Sequence, residues 1–214
     1  MLITFSGLDA AGKSTQIHLL LAHLRRCRVT PIYIWTRGGS TPLFELLRRS
    51  FRRAAGGPVA GVGQRLFRSR KVKYRWVRIV WLWLATAELL WIYGVQLRWH
   101  RRRKRVIICD RYVWDTLVDF RTMFPEFPIE RWWIWRQLTR WAPSPDHAFL
   151  LLVPVDESAQ RSQQKADPYR YPPELLKQRL AQYEALTGLA GWHVLDGRRA
   201  PEELAAEIVA VAGL

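Results

Sequence analysis

Cysteine is scarce in this chain. Cys27 and Cys109 are the only two among 214 residues, far apart and outside any CxxC or metal-ligand spacing, which argues against a disulfide framework and a cysteine-built zinc site. A reducing, cytoplasmic setting fits that usage. Acidic residues are also in short supply: 18 Asp and Glu stand against 34 Lys and Arg, a formal net charge of +16. Such an excess points to an anionic partner, whether nucleotide, nucleic acid or acidic lipid surface, without choosing among them. The N-terminus carries no basic stretch or cleavage pattern ahead of Met1-Leu2-Ile3, and a glycine loop follows by Gly7, so a secretory signal is not expected. No internal repeat or long linker divides the chain. With 49% hydrophobic residues it is long enough for one α/β domain over residues 1–214.

Short apolar runs alternate with longer helical patterns, the signature of a parallel sheet covered on both faces. The runs predict five strands, Leu2–Ser6, Val29–Trp35, Arg105–Asp110, His147–Val153 and Trp192–Asp196, each branched or aromatic and largely free of polar residues. Helices are expected over Lys13–Arg26, Pro42–Ala54, Arg65–Arg102, Trp114–Met123, Ile129–Trp141, Glu157–Ala166, Pro173–Leu186 and Pro201–Val211. The stretch AAGGPVAGVG (Ala54–Gly63) breaks the helical pattern and reads as a flap or a surface loop.

The run IVWLWLATAELLWIYGVQL (Ile79–Leu97) has the length and the basic flanks of a membrane span. Glu88 at its centre and the buried-strand pattern RVIICDRY just after it favour a central helix of a soluble sheet instead. Such a helix, apolar all round and rich in tryptophan, has a face to offer a homodimer partner or the headgroups of an anionic membrane.

Gly7-Leu8-Asp9-Ala10-Ala11-Gly12-Lys13-Ser14 matches G-x-x-x-x-G-K-[ST], with a strand before it and a helical pattern after it. Gly7 and Gly12 let the backbone close around an anion and aim N–H groups and a helix N-terminus at it. Lys13 can reach terminal phosphates and the Ser14 hydroxyl can ligate Mg²⁺. Asp110 closes the apolar run VIICD, whose strand is expected beside the first one. Its carboxylate would then face the metal and phosphates, and Arg111 could stabilise charge on the acceptor or the transferring group.

These residues together resemble the thymidylate kinase family of P-loop nucleoside-monophosphate kinases. ITFSGLDAAGKSTQ resembles the family's phosphate loop, and WTRGGSTPL (Trp35–Leu43) its segment after the second strand. VIICDRY resembles its Asp-Arg-Tyr signature, DESAQRSQQKADPYR stands in the place of its basic lid, and WHVLDGRRAPEELAAEIV resembles its last strand, adenine-side loop and final helix. The resemblance spans nearly the whole chain. It implies a P-loop kinase-type doubly wound α/β sandwich, with a five-stranded parallel sheet, helices on both faces and a short lid. It also implies ATP and Mg²⁺ as cofactors. Gly7, Ala10, Ala11, Gly12, Lys13, Ser14 and Thr15 would hold ATP, and Ser14 and Asp110 would place the metal. Arg161 with Lys165 or Arg170 would close over the phosphates. Arg37 and Arg111 would meet the phosphate of a small-molecule acceptor, and Asp9 would contact an acceptor hydroxyl; Asp9 or Asp110 would orient the attacking oxygen.

The base-reading residues depart from the family. Where it has serines and then a Tyr-Gln pair near thymine, this chain runs VWDTLVDF, with Asp115, Asp119 and Phe120. Glu88 falls, by approximate alignment, where the family has a base-contacting arginine, and the Glu-Pro that follows the arginine matched by Arg37 is missing. A nucleoside monophosphate is the expected acceptor, without specificity for thymidine. Glu88, Asp115 and Asp119 either line an acidic pocket, suited to a sugar or another small-molecule hydroxyl, or neutralise arginines such as Arg111 and Arg121. A third reading is a nucleotide-binding adaptor at the membrane surface. ERWWIWRQLTRW interleaves tryptophan and arginine as nucleic-acid and membrane binders do, but core packing explains it as well, and no recognised nucleic-acid module accompanies it.

Overall fold

The computed structural model describes residues 1–36, 75–164, 171–188 and 191–214. Arg37, Lys165, Arg170, the helix expected over Pro42–Ala54 and the stretch Ala54–Gly63 lie outside the described residues.

Five strands form one wholly parallel sheet: β1 (Leu2–Gly7), β2 (Ile32–Trp35), β3 (Ile107–Asp110), β4 (His147–Leu152) and β5 (Trp192–Asp196). Their order is β2-β3-β1-β4-β5, so the first and third strands are neighbours as expected. Two strands start later than the apolar runs suggest. Val29 N–H closes the preceding helix on the Leu24 carbonyl, and Pro31 has no N–H for a ladder, so β2 begins at Ile32. Lys104 turns the chain with φ 54, which delays β3 to Ile107.

The connecting helices are α1 (Lys13–Arg26), α2 (Arg75–Trp91), α3 (Arg98–Arg102), α4 (Val113–Met123), α5 (Trp133–Trp141), α6 (Val155–Gln164), α7 (Pro173–Thr187) and α8 (Pro201–Ala212). One π-helical turn, Ile92–Leu97, joins α2 to α3 without a break. The helix expected over Ile129–Trp141 is divided: a 3₁₀ turn covers Ile129–Arg131, and Trp132 is extended at ψ 140 before α5 starts. In that position the Trp132 ring stacks on Trp83 and meets the edge of Phe127, contacts that a continuous helix would forgo.

Alternate strand residues feed two separate cores, as the two-residue period of a strand requires. Ile3, Phe5 and Ile108 pack with Ile17 and Leu20 of α1, Tyr183 of α7 and Ile208 of α8. Leu2, Ile107 and Cys109 pack with Leu82 and Leu89 of α2, Phe120 of α4 and Leu138 of α5 on the other face. The long apolar helix is thus a core helix along one side, with half of its most apolar window buried.

Candidate active site

β1 and β3 pair in parallel with Phe5 opposite Asp110, so the loop after β1 and the step after β3 open on the same edge of the sheet. That is the carboxyl edge, where open α/β sheets bind ligands. The loop needs its glycines. Gly7 has φ 131, and a Cβ on it would collide with the Leu151 carbonyl. Ala10 and Gly12 follow at φ 59 and 97, and α1 starts at Lys13 with no side-chain cap, leaving its first N–H groups for an anion. The Ser14 and Thr15 side chains at that helix start are exposed.

Lys13 lies folded across the loop, its Nζ donating to the carbonyls of Gly7 at 3.0 Å and Leu8 at 2.5 Å. Burial, reinforced by the Arg111 charge, lowers its pKa from 10.5 to about 8, against the upward pull of Asp9, Asp110 and Asp115. A group poised there makes nucleotide binding pH-dependent. Below pH 8 the free protein already carries the ammonium that a polyphosphate needs; above it, binding must first take up a proton. The dissociation constant of a nonhydrolysable ATP analogue is therefore expected to rise about tenfold between pH 7 and 9. Titration calorimetry checks this, and Lys13→Met should flatten the profile.

Arg111 adopts φ 76, a conformation that costs a non-glycine residue about 1–3 kcal/mol. So turned, its Nη2 donates to Asp9 Oδ1 in a close ion pair. Nη1 is buried with no hydrogen-bond partner among the described residues, standing 4.0 Å from Asp115. Burial alone would lower the Arg111 pKa, but Asp9, Asp119, Tyr183 and Asp115 outweigh it and hold the guanidinium charged. A buried, charged donor with an open N–H, beside a phosphate-type loop, suits an anion.

Asp110 accepts a hydrogen bond from the Tyr33 hydroxyl at 3.1 Å. Thr36 ties the end of β2 to the same corner: its N–H donates to the Asp110 carbonyl at 3.3 Å, and its Oγ1 donates to the Arg111 carbonyl while sharing a 2.5 Å bond with the Tyr93 hydroxyl. From the other side, Ser158 Oγ of α6 donates to the Asp9 carbonyl at 2.7 Å and pins the loop. Ser158→Ala removes one hydrogen bond worth about 1 kcal/mol, so a few-fold rise in KM for the nucleotide is expected in steady-state assays.

The structure places the acidic residues of the acceptor side in the interior. Asp115 is buried and its oxygens are committed internally: they accept from Ser6 Oγ (2.5 Å), the Tyr112 N–H (2.9 Å), the Tyr183 hydroxyl (2.9 Å) and the Gly7 N–H (3.3 Å). It joins β1, α4 and α7 rather than lining a pocket. Asp119 is buried against Arg179 at 2.5 Å, and Arg121 pairs with Glu130 instead. Glu88 is buried on the inner side of α2. Arg161 is held by the Glu157 carboxylate and donates to the Gly197 carbonyl at 2.9 Å, so it braces α6 against the loop after β5. That loop itself touches the phosphate loop: a Cβ on Gly197 would come within 2.5 Å of the Ala11 carbonyl.

The sequence reading missed Ser6, Tyr33, Thr36, Tyr93, Ser158, Arg179 and Tyr183. One signal was available: Arg179 interrupts the apolar side of α7, among Leu176, Tyr183 and Leu186, at helical spacing.

No protein-family model matches the chain. Curated relatives do. It is 29% identical over 167 residues to a thymidylate kinase of Symbiobacterium thermophilum, covering 77% of this chain and 69% of that one. A thymidylate kinase of Thermomicrobium roseum is 30% identical over 163 residues, 72% of this chain and 63% of the relative. A shorter match of 48 residues to a thymidylate kinase of Chlorobium chlorochromatii reaches 48% identity, over 22% of this chain. Over most of its length the chain is thus similar to thymidylate kinases. The long matches span about two thirds of their relatives' own length.

Proposed function

We propose that this thymidylate kinase-like protein transfers the γ-phosphoryl group of ATP, with Mg²⁺, to a nucleoside monophosphate and is not restricted to thymidine. The observation that carries the reading is the meeting of the glycine loop, the Lys13 ammonium, Asp110 and the open N–H of Arg111 at one edge of the sheet. The relatives named thymidylate kinase support the same reaction class.

The donor set fits the metal. Among the described residues no cluster of three or more His, Cys, Asp or Glu forms a protein cage. Mg²⁺ does not need one, since it takes one or two protein oxygens and completes its shell with water and phosphate. The exposed Ser14 hydroxyl and the Asp110 carboxylate would hold it, and when bound it would neutralise charge on the phosphate oxygens. The rest falls to the chain. Loop N–H groups and the start of α1 bind the donor phosphates. Lys13 leaves its two carbonyl partners for the terminal phosphate, and Arg111, kept cationic by Asp9, Asp119 and Asp115, stabilises the charge shared between donor and acceptor. Asp9 is held by Arg111 and carried on a loop pinned by Ser158, and from there it would orient the acceptor.

Relaxed base specificity rests on Asp119 and Phe120. These positions stand in place of the family's Tyr-Gln pair, yet one side chain is spent on Arg179 and the other lies wholly in the core. A site that has lost its hydrogen-bonding partners for one base loses most of its discrimination. An ADP-release assay over pyrimidine and purine monophosphates tests the reading. Turnover of several monophosphates with Mg²⁺ is expected; no turnover of any monophosphate contradicts it.

A further inference from the structure

The strained backbone of Arg111 is fixed from both ends: its N–H donates to the Phe5 carbonyl at 2.9 Å, and its carbonyl accepts from Thr36 Oγ1 at 3.2 Å. The first bond carries the pairing of β1 with β3 one residue further. The second comes from a side chain at the end of β2 and exists only while that hydroxyl is turned towards Arg111. A threonine hydroxyl has a single proton to give. Spent on the Arg111 carbonyl, it leaves Thr36 Oγ1 as the acceptor in the 2.5 Å bond to the Tyr93 hydroxyl. Tyr93 is therefore the donor, and burial, which raises its pKa, keeps the proton on it. The bonds run one way, from Tyr93 to Thr36 to the Arg111 carbonyl.

Tyr93 is built as a fixed support. It is wholly buried, and its ring centre lies 4.6 Å from that of Tyr112, the residue after Arg111. The Tyr112 hydroxyl is held in turn by the Pro143 carbonyl at 2.7 Å. On the other side, the Thr36 N–H holds the residue before Arg111 through the Asp110 carbonyl. The step Asp110–Tyr112 is thus gripped before and after its strained residue. Tyr93 itself belongs to the π-helical turn Ile92–Leu97, in which the consecutive residues Ile92, Tyr93 and Gly94 are all buried. Such turns inside α-helices recur at functional sites. Gly94 lets this one close on α5, since a Cβ there would stand 3.3 Å from Trp141 Cβ.

We propose that Tyr93 is a positioning residue: acting through Thr36, it holds the Arg111 backbone in the left-handed conformation that aims the guanidinium at the acceptor phosphate. What Arg111 does there rests on the proposed phosphotransfer; how it is held does not. Ordinary backbone conformations are lower in energy than φ 76, and the strain is comparable with a hydrogen bond or two, so weakening those bonds lets Arg111 leave it. The guanidinium would then swing off Asp9 and lose its place beside the glycine loop. No charge is removed, so the loss is one of geometry.

Tyr93→Phe keeps the ring and removes the hydroxyl. Its KM for the monophosphate acceptor is expected to rise about fivefold, the worth of one hydrogen bond, while KM for ATP stays within about twofold of wild type. Thr36→Val should behave likewise, and Thr36→Ser, which keeps the hydroxyl, should leave both constants near wild type. Tyr93→Phe combined with Thr36→Val should be little worse than either change by itself, since both break the same chain of bonds. Without any substrate, amide hydrogen exchange in a peptide spanning Asp110–Tyr112 should quicken severalfold in Tyr93→Phe. Should that variant fold poorly, Thr36→Val carries the test from the other end. The proposal is overturned by an unchanged acceptor KM in both folded variants, by equal rises in both KM values, or by a Thr36→Ser protein as impaired as Thr36→Val. Wild-type protein that turns over no monophosphate would overturn the reaction instead. The exchange rate then decides for Tyr93: faster exchange upholds its role, and unchanged exchange contradicts it.

Discussion

Lys13→Met is expected to lower kcat by at least about a hundredfold, the loss typical when one charge-stabilising donor is removed from a transition state. The effect should fall on the chemical step, since loop N–H groups and the start of α1 remain to bind the nucleotide. Stability should hardly change, because two contributions oppose each other. With the pKa of Lys13 at about 8 in the folded chain and 10.5 unfolded, the native state binds fewer protons than the unfolded chain between those values. Stability therefore rises with pH across that window, and below pH 8 the buried ammonium costs about 3 kcal/mol. Removing it relieves that cost but leaves the Gly7 and Leu8 carbonyls without their donor, an offset of about 1–3 kcal/mol. A steady-state assay alongside a thermal melt checks both halves. Full turnover in a folded Lys13→Met protein would remove the lysine from the chemistry.

The second large effect concerns stability. Arg179 and Asp119 form an ion pair that is almost wholly withdrawn from water, with side-chain exposures of 0% and 2%. Arg179→Met takes the 2.5 Å partner from a buried carboxylate and should cost about 3–5 kcal/mol in urea unfolding. Asp119→Leu strands the guanidinium and should cost a similar amount. The double substitution replaces two desolvated charges by apolar groups and should recover most of the loss, since such exchanges are often neutral. It also separates two roles for Asp119. A structural Asp119 predicts a double variant with near-normal KM for the acceptor monophosphate; an Asp119 that touches the acceptor predicts that KM rises even when stability returns.

The sheet was legible because strands buried on both faces are written as unbroken apolar runs, and all five runs became strands with β1 beside β3. Strand ends were less legible, since they depend on local events such as the Pro31 gap and the Lys104 turn. The glycine loop after β1 was legible as the turn between a strand and a helix, because its glycines, lysine and hydroxyl follow one another at fixed spacing. The acidic residues could not. Asp115 and Asp119 are four apart on one helix, which correctly put them on one face, but the sequence does not say what that face meets. It meets Tyr183 and Arg179, some sixty residues further along. Similarly, Ser158 and Thr36 act on the site only through contacts that the fold creates between distant segments. The membrane-like run was ambiguous for a physical reason: a helix with one side in a core and tryptophans along the other is as apolar overall as one that spans a bilayer.

The central claim is that the loop after β1 and the Asp110–Arg111 step after β3 enclose one nucleotide triphosphate tail. A crystal structure with a nonhydrolysable ATP analogue and Mg²⁺ tests it most directly. The account predicts the β- and γ-phosphates within the turn Gly7–Ser14, Lys13 Nζ moved from the Gly7 and Leu8 carbonyls onto the terminal phosphate, and the metal beside Ser14 and Asp110. Phosphates bound at any other part of the chain, with Lys13 still on its carbonyls, would contradict it.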